Sequence, residues 1–596
     1  MSKKRVSFFS RRGFLKALGS FAALPAMSLS FLTTACFKRK TLAKRQSWPS
    51  KSDWDLLRER VGGRLFTVES PLKACVASPG SSSALEVLEK MKNPFYISDH
   101  PGATQSSGWL DSWKTEVSPY MVAAENSSDI VAAVNFAREH GVKLVVKTTG
   151  HDYLGRSSAA DSLLVWTHHM RKVTVHESFI PAGSSGPGVP AVTAQAGARW
   201  LEAYDAVTNR HGRYVQGGGC TSVGVTGGFI QGGGFGSLSK KFGIASGSML
   251  EAEVVLADGS VVVASEYQNE DLFWALRGGG GGTFGVVTRM SLLTHEIPKT
   301  FGVFKGSIRA GSCESFRELL EAFIRLYDEI LGNERWGEQV KVKGDNSIEL
   351  SMVFHGLTEV EAREVWKPFF ANLESRPGEF KVALDVFVMP ARELWNYKYL
   401  ANKHPELLTR DERKGQPEGQ YWWASNQGEV SRYIYSYQSR WVPQNLFKPA
   451  HAKRLAELFF QMSRHHSFSL HFNKGQAGAS AEAVERGRKT SVNPTVFDAA
   501  AQIIMNDGEL DAYPDIEGHA PDSGRGREAL RRMNAAMKLL RDATPGAGTY
   551  SNEADFHEPD WQESFWGTNY PKLLSIKRKY DPTGLFRTHH SVGSEI

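Results

Sequence analysis

The sequence lacks several features that would point to common classes of protein. Across 596 residues there are only four cysteines, Cys36, Cys75, Cys220 and Cys313. Their wide separation fits neither a disulfide framework nor the paired spacing of a zinc site, so no metal is expected. Acidic residues are absent before Asp53, whereas twelve Lys and Arg residues lie in that stretch. The formal charge of +7 therefore belongs to the N-terminal segment, and the rest of the chain is net negative. A nucleic-acid footprint needs a basic cluster on the folded body, so nucleic acid is not an expected partner. There is no G-x-x-x-x-G-K-[ST] phosphate loop, internal repeat or low-complexity tract. The glycine runs also do not follow the compact strand, G-x-G-x-x-G, helix arrangement of a Rossmann dinucleotide site.

What is present begins with Ser10-Arg-Arg-Gly-Phe-Leu-Lys16, followed by a moderately apolar run from Ala17 to Ala35 that contains Gly19 and Pro25. A charged front, a short apolar stretch and a small-residue exit describe an export signal better than a membrane span. The pattern resembles a twin-arginine signal over residues 1–36, a route that carries folded proteins. It implies the twin-arginine machinery as a partner and a periplasmic, cell-surface or extracellular destination. Cys36 follows Leu32-Thr-Thr-Ala35, which resembles a lipoprotein site with its aliphatic residue one position too far back. A lipid anchor there, or the signal itself, is the only membrane attachment foreseen.

The body reads as α+β. Asp129 to His140 has helical periodicity, Gly141 stops it, and the β-branched run Val142 to Thr148 predicts a strand. Further strands are expected at Ser162–Trp166, Val192–Ala196 and across the Asp258-Gly259 turn, with a helix from Trp200 to Arg210. Residues 48 to about 119 show a weak pattern and read as a lead-in. Past Pro298 glycine thins out, and amphipathic segments such as Cys313–Ile330 and Glu359–Leu373 alternate with strand-like stretches, which predicts a second domain. Trp561 to Tyr580 reads as one helix closed by Asp581-Pro582, with Phe586 and Val592 docking the tail.

Glycine clusters at 217–236 and 277–285. Glycine costs conformational entropy, so such runs point to backbone with positive φ or in close approach to a ligand, and successive loop amides can form an anion nest.

Three motifs, in order, carry a resemblance. They are Lys147-Thr-Thr-Gly-His-Asp-Tyr-Leu-Gly-Arg-Ser157, Gly218-Gly-Cys-Thr-Ser-Val-Gly-Val-Thr-Gly-Gly228, and a C-terminal series running from Tyr550-Ser-Asn-Glu553 through Trp561, Trp566, Asn569-Tyr570 and Lys577 to Tyr580-Asp-Pro582. Together they resemble the berberine bridge enzyme-like group of the vanillyl-alcohol oxidase flavoprotein family. The resemblance covers about 119–298 and 550–592. It implies a two-lobed PCMH-type FAD-binding fold with an inserted substrate domain of antiparallel sheet and helices. The implied layout is an FAD domain at 48–298 (core 116–298), a substrate domain at 299–545, and a segment at 546–596 that returns to the FAD lobe.

The same resemblance implies covalent FAD, bonded through the ring of His151 to the flavin 8α carbon and through the sulfur of Cys220 to carbon 6. Imidazole and thiolate are nucleophiles able to add to an electron-poor ring. A hydrogen-bonded loop histidine and a buried free thiol are the structural alternatives. Further cofactor contacts are implied at Thr148, Thr149, Gly150, Asp152, Tyr153, Gly155, Gly219, Thr221, Gly224, Gly227, Gly228 and Val287.

The implied reaction is oxidation of a small-molecule alcohol, sugar or amine by hydride transfer to FAD, with O2 as acceptor giving H2O2. A flavin dehydrogenase that passes electrons to a carrier, and a non-catalytic surface carbohydrate-binding protein on the same fold, are the alternatives. The family pattern Tyr-x-Asn-Tyr is changed here to Tyr550-Ser551-Asn552-Glu553. Glu553 and Tyr550 thus compete as the base, with Asn552 beside them. In the second domain Tyr433, Tyr435, Tyr437 and Trp441 alternate as on one strand face, as do Ser469, His471 and Asn473. Of these, Tyr435, Tyr437 and His471 are the expected substrate contacts, against the alternative that the aromatic face is core. The pairs His168-His169, His465-His466 and His589-His590 do not suit chelation, because neighbours on a strand point apart.

Overall fold

The structure, a computed structural model, describes residues 48–595. The twin-arginine motif and Cys36 lie outside the described residues. Among the described residues no helix is long and apolar enough to cross a membrane.

Three large sheets build the body, beside a two-stranded one of Leu408–Arg410 and Tyr421–Trp423. The first has four strands in the order Leu65–Thr67, Tyr120–Ala123, Ser162–Trp166, Lys143–Lys147, and its last three strands run parallel. Ser162–Trp166 is buried at every position, as expected of a strand covered on both faces. The preceding helix, Ser127–His140, starts where the Asn126 side chain accepts from the Asp129 amide at 3.1 Å. It stops at Gly141, whose φ of 63° is left-handed. Helix, glycine stop and strand therefore fall where periodicity and capping chemistry place them.

A second sheet runs antiparallel in the order Val261–Ser265, Met249–Val255, Val286–Glu296, Val189–Gln195, Val173–Phe179, with Arg213–Val215 added beside Val286–Glu296. The third has nine strands: Phe380–Pro390, Thr300–Ala310, Ser347–His355, Trp336–Lys343, Phe468–His471, Ala499–Leu510, Arg432–Pro443, Ser106–Trp109 and Trp113–Lys114. The helices Cys313–Leu326, Glu359–Glu374, Pro449–His465 and Ser523–Ala543 contribute Phe316, Phe323, Trp366, Phe459 and Met533 to one large apolar core on this sheet.

Five sequence expectations are corrected. Residues 106–114 are not a lead-in: they form the last two strands of the nine-stranded sheet, with Ser106–Trp109 parallel to Arg432–Pro443. The stretch 561–580 is not one helix, because Gly567 takes a φ of 53° and splits it into Trp561–Trp566 and Tyr570–Tyr580. The segments ending at Arg210 and near Ile330 close as π-helical turns over Asp205–Arg210 and Tyr327–Leu331.

Finally, the aromatic series on Arg432–Pro443 does not share one face. A bulge between Ile434 and Ser436 breaks the alternation. Tyr435 turns into the core beneath Gly526, where its hydroxyl meets Glu509, while Tyr437 remains on the opposite side.

The tail is fixed by Lys577, whose buried ammonium donates to the Thr283 carbonyl at 2.6 Å and pairs with Asp581 at 2.6 Å. Phe586 and Val592 are buried, which docks the end of the chain.

Candidate active site

A cavity of about 1160 Å³ lies between two glycine-rich loops and the face of the nine-stranded sheet not covered by helices. That exceeds the roughly 300–1,000 Å³ typical of small-molecule sites, which suits a large cofactor together with a substrate.

On the loop side the cavity is lined by Thr148, Thr149, Gly150, His151, Asp152, Tyr153, Gly219, Cys220, Gly224, Gly227, Gly228 and Val287, all of them expected from sequence. The glycines allow the close approach. A Cβ on Gly224 would lie 2.3 Å from the Thr148 methyl, and one on Gly281 would lie 2.7 Å from the Gly228 Cα. At Gly219, Gly228 and Gly282 a Cβ would meet no protein atom within 4 Å, so these positions border open space.

Two expected cofactor contacts are elsewhere. Gly155, with a φ of 70°, packs against the Trp113 ring, where its lack of a side chain serves packing. The Thr221 hydroxyl donates to the Tyr421 carbonyl at 2.6 Å, because the turn after Cys220 points it away from the cavity. Tyr435, expected to touch substrate, is likewise excluded by the bulge.

His151 faces the cavity with Nε2 2.8 Å from the Ser222 hydroxyl. Burial, reinforced by the Lys147 ammonium, pushes its pKa down to about 4, so the imidazole is neutral at ordinary pH. Lys147 is 1% exposed and donates to the carbonyls of Ile97, His100, Pro101 and Ala103 at 2.6–3.3 Å. Burial lowers its pKa to about 7. It secures the chain that leads into residues 106–114 to the loop that carries His151.

Cys220 projects from the second loop and donates from Sγ to Glu429 Oε2 at 3.1 Å. Burial first, and the neighbouring carboxylate second, push the thiol well above its ordinary range.

The sheet side supplies Gln339, Ser469, His471, Asn473, Asn506 and Tyr437. The Tyr437 ring stacks on Tyr153 with centroids 5.0 Å apart. Burial drives His471 well below its usual pKa, which leaves it uncharged.

The C-terminal segment completes the wall with Tyr550, Asn552 and Glu553. Burial pushes the Tyr550 phenol upward. Its hydroxyl accepts from Asn552 Nδ2 at 2.9 Å and donates to the Phe229 carbonyl at 3.4 Å. Glu553 forms an ion pair with Lys474.

Ser222, Glu338, Glu429 and Lys474 were not singled out from sequence. Glu338 sits mid-strand at a φ of 59°, an uncommon backbone for a residue with a side chain, and burial raises its carboxyl pKa, as it does that of Glu429. Ser222 lies inside the Gly218–Gly228 motif, close behind Cys220, whereas Glu338, Glu429 and Lys474 arrive from distant segments. Of these three, Lys474 alone had a local signal, since it directly follows the alternating Ser469–Asn473 series.

Comparison with known proteins places the chain in a family. Residues 118–265 match the family described as FAD binding domain, and residues 549–593 match that described as Berberine and berberine like. The chain is 30% identical to the VAO-type flavoprotein oxidase VAO615 of Thermothelomyces thermophilus over 92% of both chains. Among solved structures it resembles the VAO-type flavoprotein MtVAO615 from Myceliophthora thermophila C1 (27% identity, 92% of this chain and 96% of that one, TM-score 0.74). It also has the fold of the Acremonium strictum glucooligosaccharide oxidase described with a 6-S-cysteinyl, 8α-N1-histidyl FAD (21% identity, 88% of this chain and 99% of that one, TM-score 0.63). Glycine loops, a facing sheet and a C-terminal wall around one cavity, joined to full-length similarity, identify the chain as an FAD-linked oxidoreductase of the VAO/berberine bridge enzyme-like family.

Proposed function

We propose that this protein is an oxidase that holds FAD through bonds to both His151 and Cys220, oxidises a hydroxylated ring substrate of the sugar class, and passes the electrons to O2 to give H2O2. One observation carries the reading: the two nucleophilic side chains come from separate glycine loops and face the same cavity, each with a proton-handling partner, Ser222 for His151 and Glu429 for Cys220. The double linkage of the Acremonium oxidase supports it.

Bound FAD supplies the two-electron acceptor. The chain supplies position and proton transfer. Thr148 to Tyr153 and Gly218 to Gly228 hold the cofactor by backbone and side chain, with Ser222 on Nε2 leaving Nδ1 of His151 free for attachment. Tyr153 and Tyr437 offer aromatic surface, and Gln339, Ser469, His471, Asn473 and Asn506 offer hydrogen bonds. This mixture fits a polyhydroxylated ring better than an apolar amine or alcohol. Glu553 takes the substrate proton, because the Tyr550 phenol is driven toward its protonated form by burial. Lys474 positions the Glu553 carboxylate. The Ser10–Lys16 motif supports export by the twin-arginine route with cofactor already in place.

The test is acid precipitation of wild type, His151→Ala, Cys220→Ala and the double variant. Colour should stay with the pellet in the first three and leave with the supernatant only in the fourth; free release from wild type would sink the covalent reading. H2O2 release on a panel of oligosaccharides, compared with reduction of an artificial acceptor under argon, tests substrate class and the role of O2.

A further inference from the structure

Cys220 and Glu429 are 209 positions apart in sequence, yet Sγ donates directly to Oε2 at 3.1 Å inside the cavity. Glu429 is anchored at both its carboxylate and its backbone. Its other carboxylate oxygen accepts from Asn426 Nδ2 at 2.6 Å, and the Glu429 carbonyl accepts from Gln105 Nε2 at 3.0 Å. Gln105 immediately precedes the strand Ser106–Trp109, so the position of Glu429 is tied to the large sheet. No other side chain of the described residues makes a hydrogen bond to the Cys220 sulfur.

A thiol attacks as its thiolate. At Cys220 the thiol form is strongly favoured, by burial and by the adjoining carboxylate, so spontaneous ionisation at neutral pH supplies little nucleophile. A base in contact with the S–H bond removes that limit. Burial also raises the affinity of Glu429 for a proton, and the contact of Sγ with Oε2 puts this acceptor on the S–H bond itself.

We propose that Glu429 is the general base that takes the Cys220 proton as the sulfur becomes joined to the flavin. The proposal rests on the cysteinyl linkage proposed above. In balance, the S–H bond of Cys220 and one C–H bond of the flavin ring are replaced by one C–S bond. The two hydrogens and two electrons released leave on O2 as H2O2. Glu429 carries the thiol proton in transit and is regenerated.

The test is made in the His151→Ala background, where sulfur is the only covalent link. Protein is incubated with added FAD at pH 7 and pH 9, and the covalent fraction is followed over time by intact mass and by the colour of the acid precipitate. Adding Glu429→Gln should slow attachment at pH 7 by about a hundredfold, as expected for loss of a positioned base. At pH 9, where solvent base ionises more of the thiol, the deficit should shrink. Non-covalent flavin content reports that the variant still folds and binds. Asn426→Ala, which keeps the carboxylate but removes its anchor, should be slowed to a smaller degree, and gives the same comparison should the glutamine variant not fold. Attachment in both variants at the parent rate at pH 7 overturns the proposal while leaving the double linkage intact. If His151→Ala itself acquires no covalent flavin, the sulfur bond does not form, and the proposal falls together with the reading beneath it.

Discussion

The ammonium of Lys474 meets the carboxylate of Glu553 at the cavity wall, joining the turn after strand Phe468–His471 to the C-terminal segment. This pair occupies the point where the family pattern has a tyrosine, and it separates the roles of two neighbours. Glu553→Gln, which removes the proposed proton acceptor while keeping shape, should lower kcat by about a hundredfold or more. Tyr550→Phe should cost less than about tenfold, because its phenol acts through Asn552 and Phe229 as a packing and positioning group. Steady-state rates with FAD content normalised decide between them; the reverse ranking would return the base to Tyr550.

Ser222 sets the orientation of His151. Ser222→Ala, in a Cys220→Ala background that leaves the proposed histidyl bond as the one covalent link, should slow covalent incorporation while leaving non-covalent binding in place. Flavin fluorescence of the acid-precipitated protein in a denaturing gel measures it. An unchanged time course would mean that the hydrogen bond is incidental.

Two glycines should fail for different reasons. Gly224→Ala drives a methyl into Thr148 where the two loops meet, and should lower bound flavin at a nearly unchanged apoprotein melting temperature. Gly155→Ala meets the Trp113 ring and a left-handed backbone, and should lower the melting temperature. Absorbance at the flavin band and thermal unfolding, measured on both variants, separate the two effects.

Acid sensitivity follows from buried neutral imidazoles. Burial depresses the pKa of His151 to about 4 and those of His168 and His295 to about 3. In the unfolded chain they titrate near 6.5, so between about pH 3 and 6.5 the unfolded state binds more protons. Stability is therefore fully present above about pH 6.5 and is lost as pH falls toward 3, each group adding a slope of up to about 1.4 kcal/mol per pH unit. His295→Gln should flatten the dependence of melting temperature on pH across this window; an unaltered slope would assign the acid sensitivity to other groups.

Much of the loop side was legible in the sequence because its signals are local. Gly141 ends a helix by backbone conformation, and the glycine series around His151 and Cys220 marks a chain that must approach something closely. The sheet side was less legible. A single bulge after Ile434 turned Tyr435 away and left Tyr437 in place, and strict alternation cannot foresee an inserted residue. Glu338 and Glu429 gained their positions through contacts with remote segments, of which the chain near them gives no trace. Ser222 lay within the Gly218–Gly228 motif, but its contact with His151 depends on how the two loops meet. The last helix was misread for a local reason that was visible: Gly567 and Pro571 interrupt it.

The strand Ser106–Trp109, drawn from the N-terminal part of the body, runs hydrogen-bonded along Arg432–Pro443 and thereby stitches the glycine-loop half to the wall that faces it. A seam of backbone bonds does not act as a hinge. The cavity is consequently better suited to sorting molecules by the fixed contour of its walls than by closing around them. Changes in preference should then arise through exchanges of single side chains on the exposed sheet face, with the scaffold and the cofactor cradle left as they are.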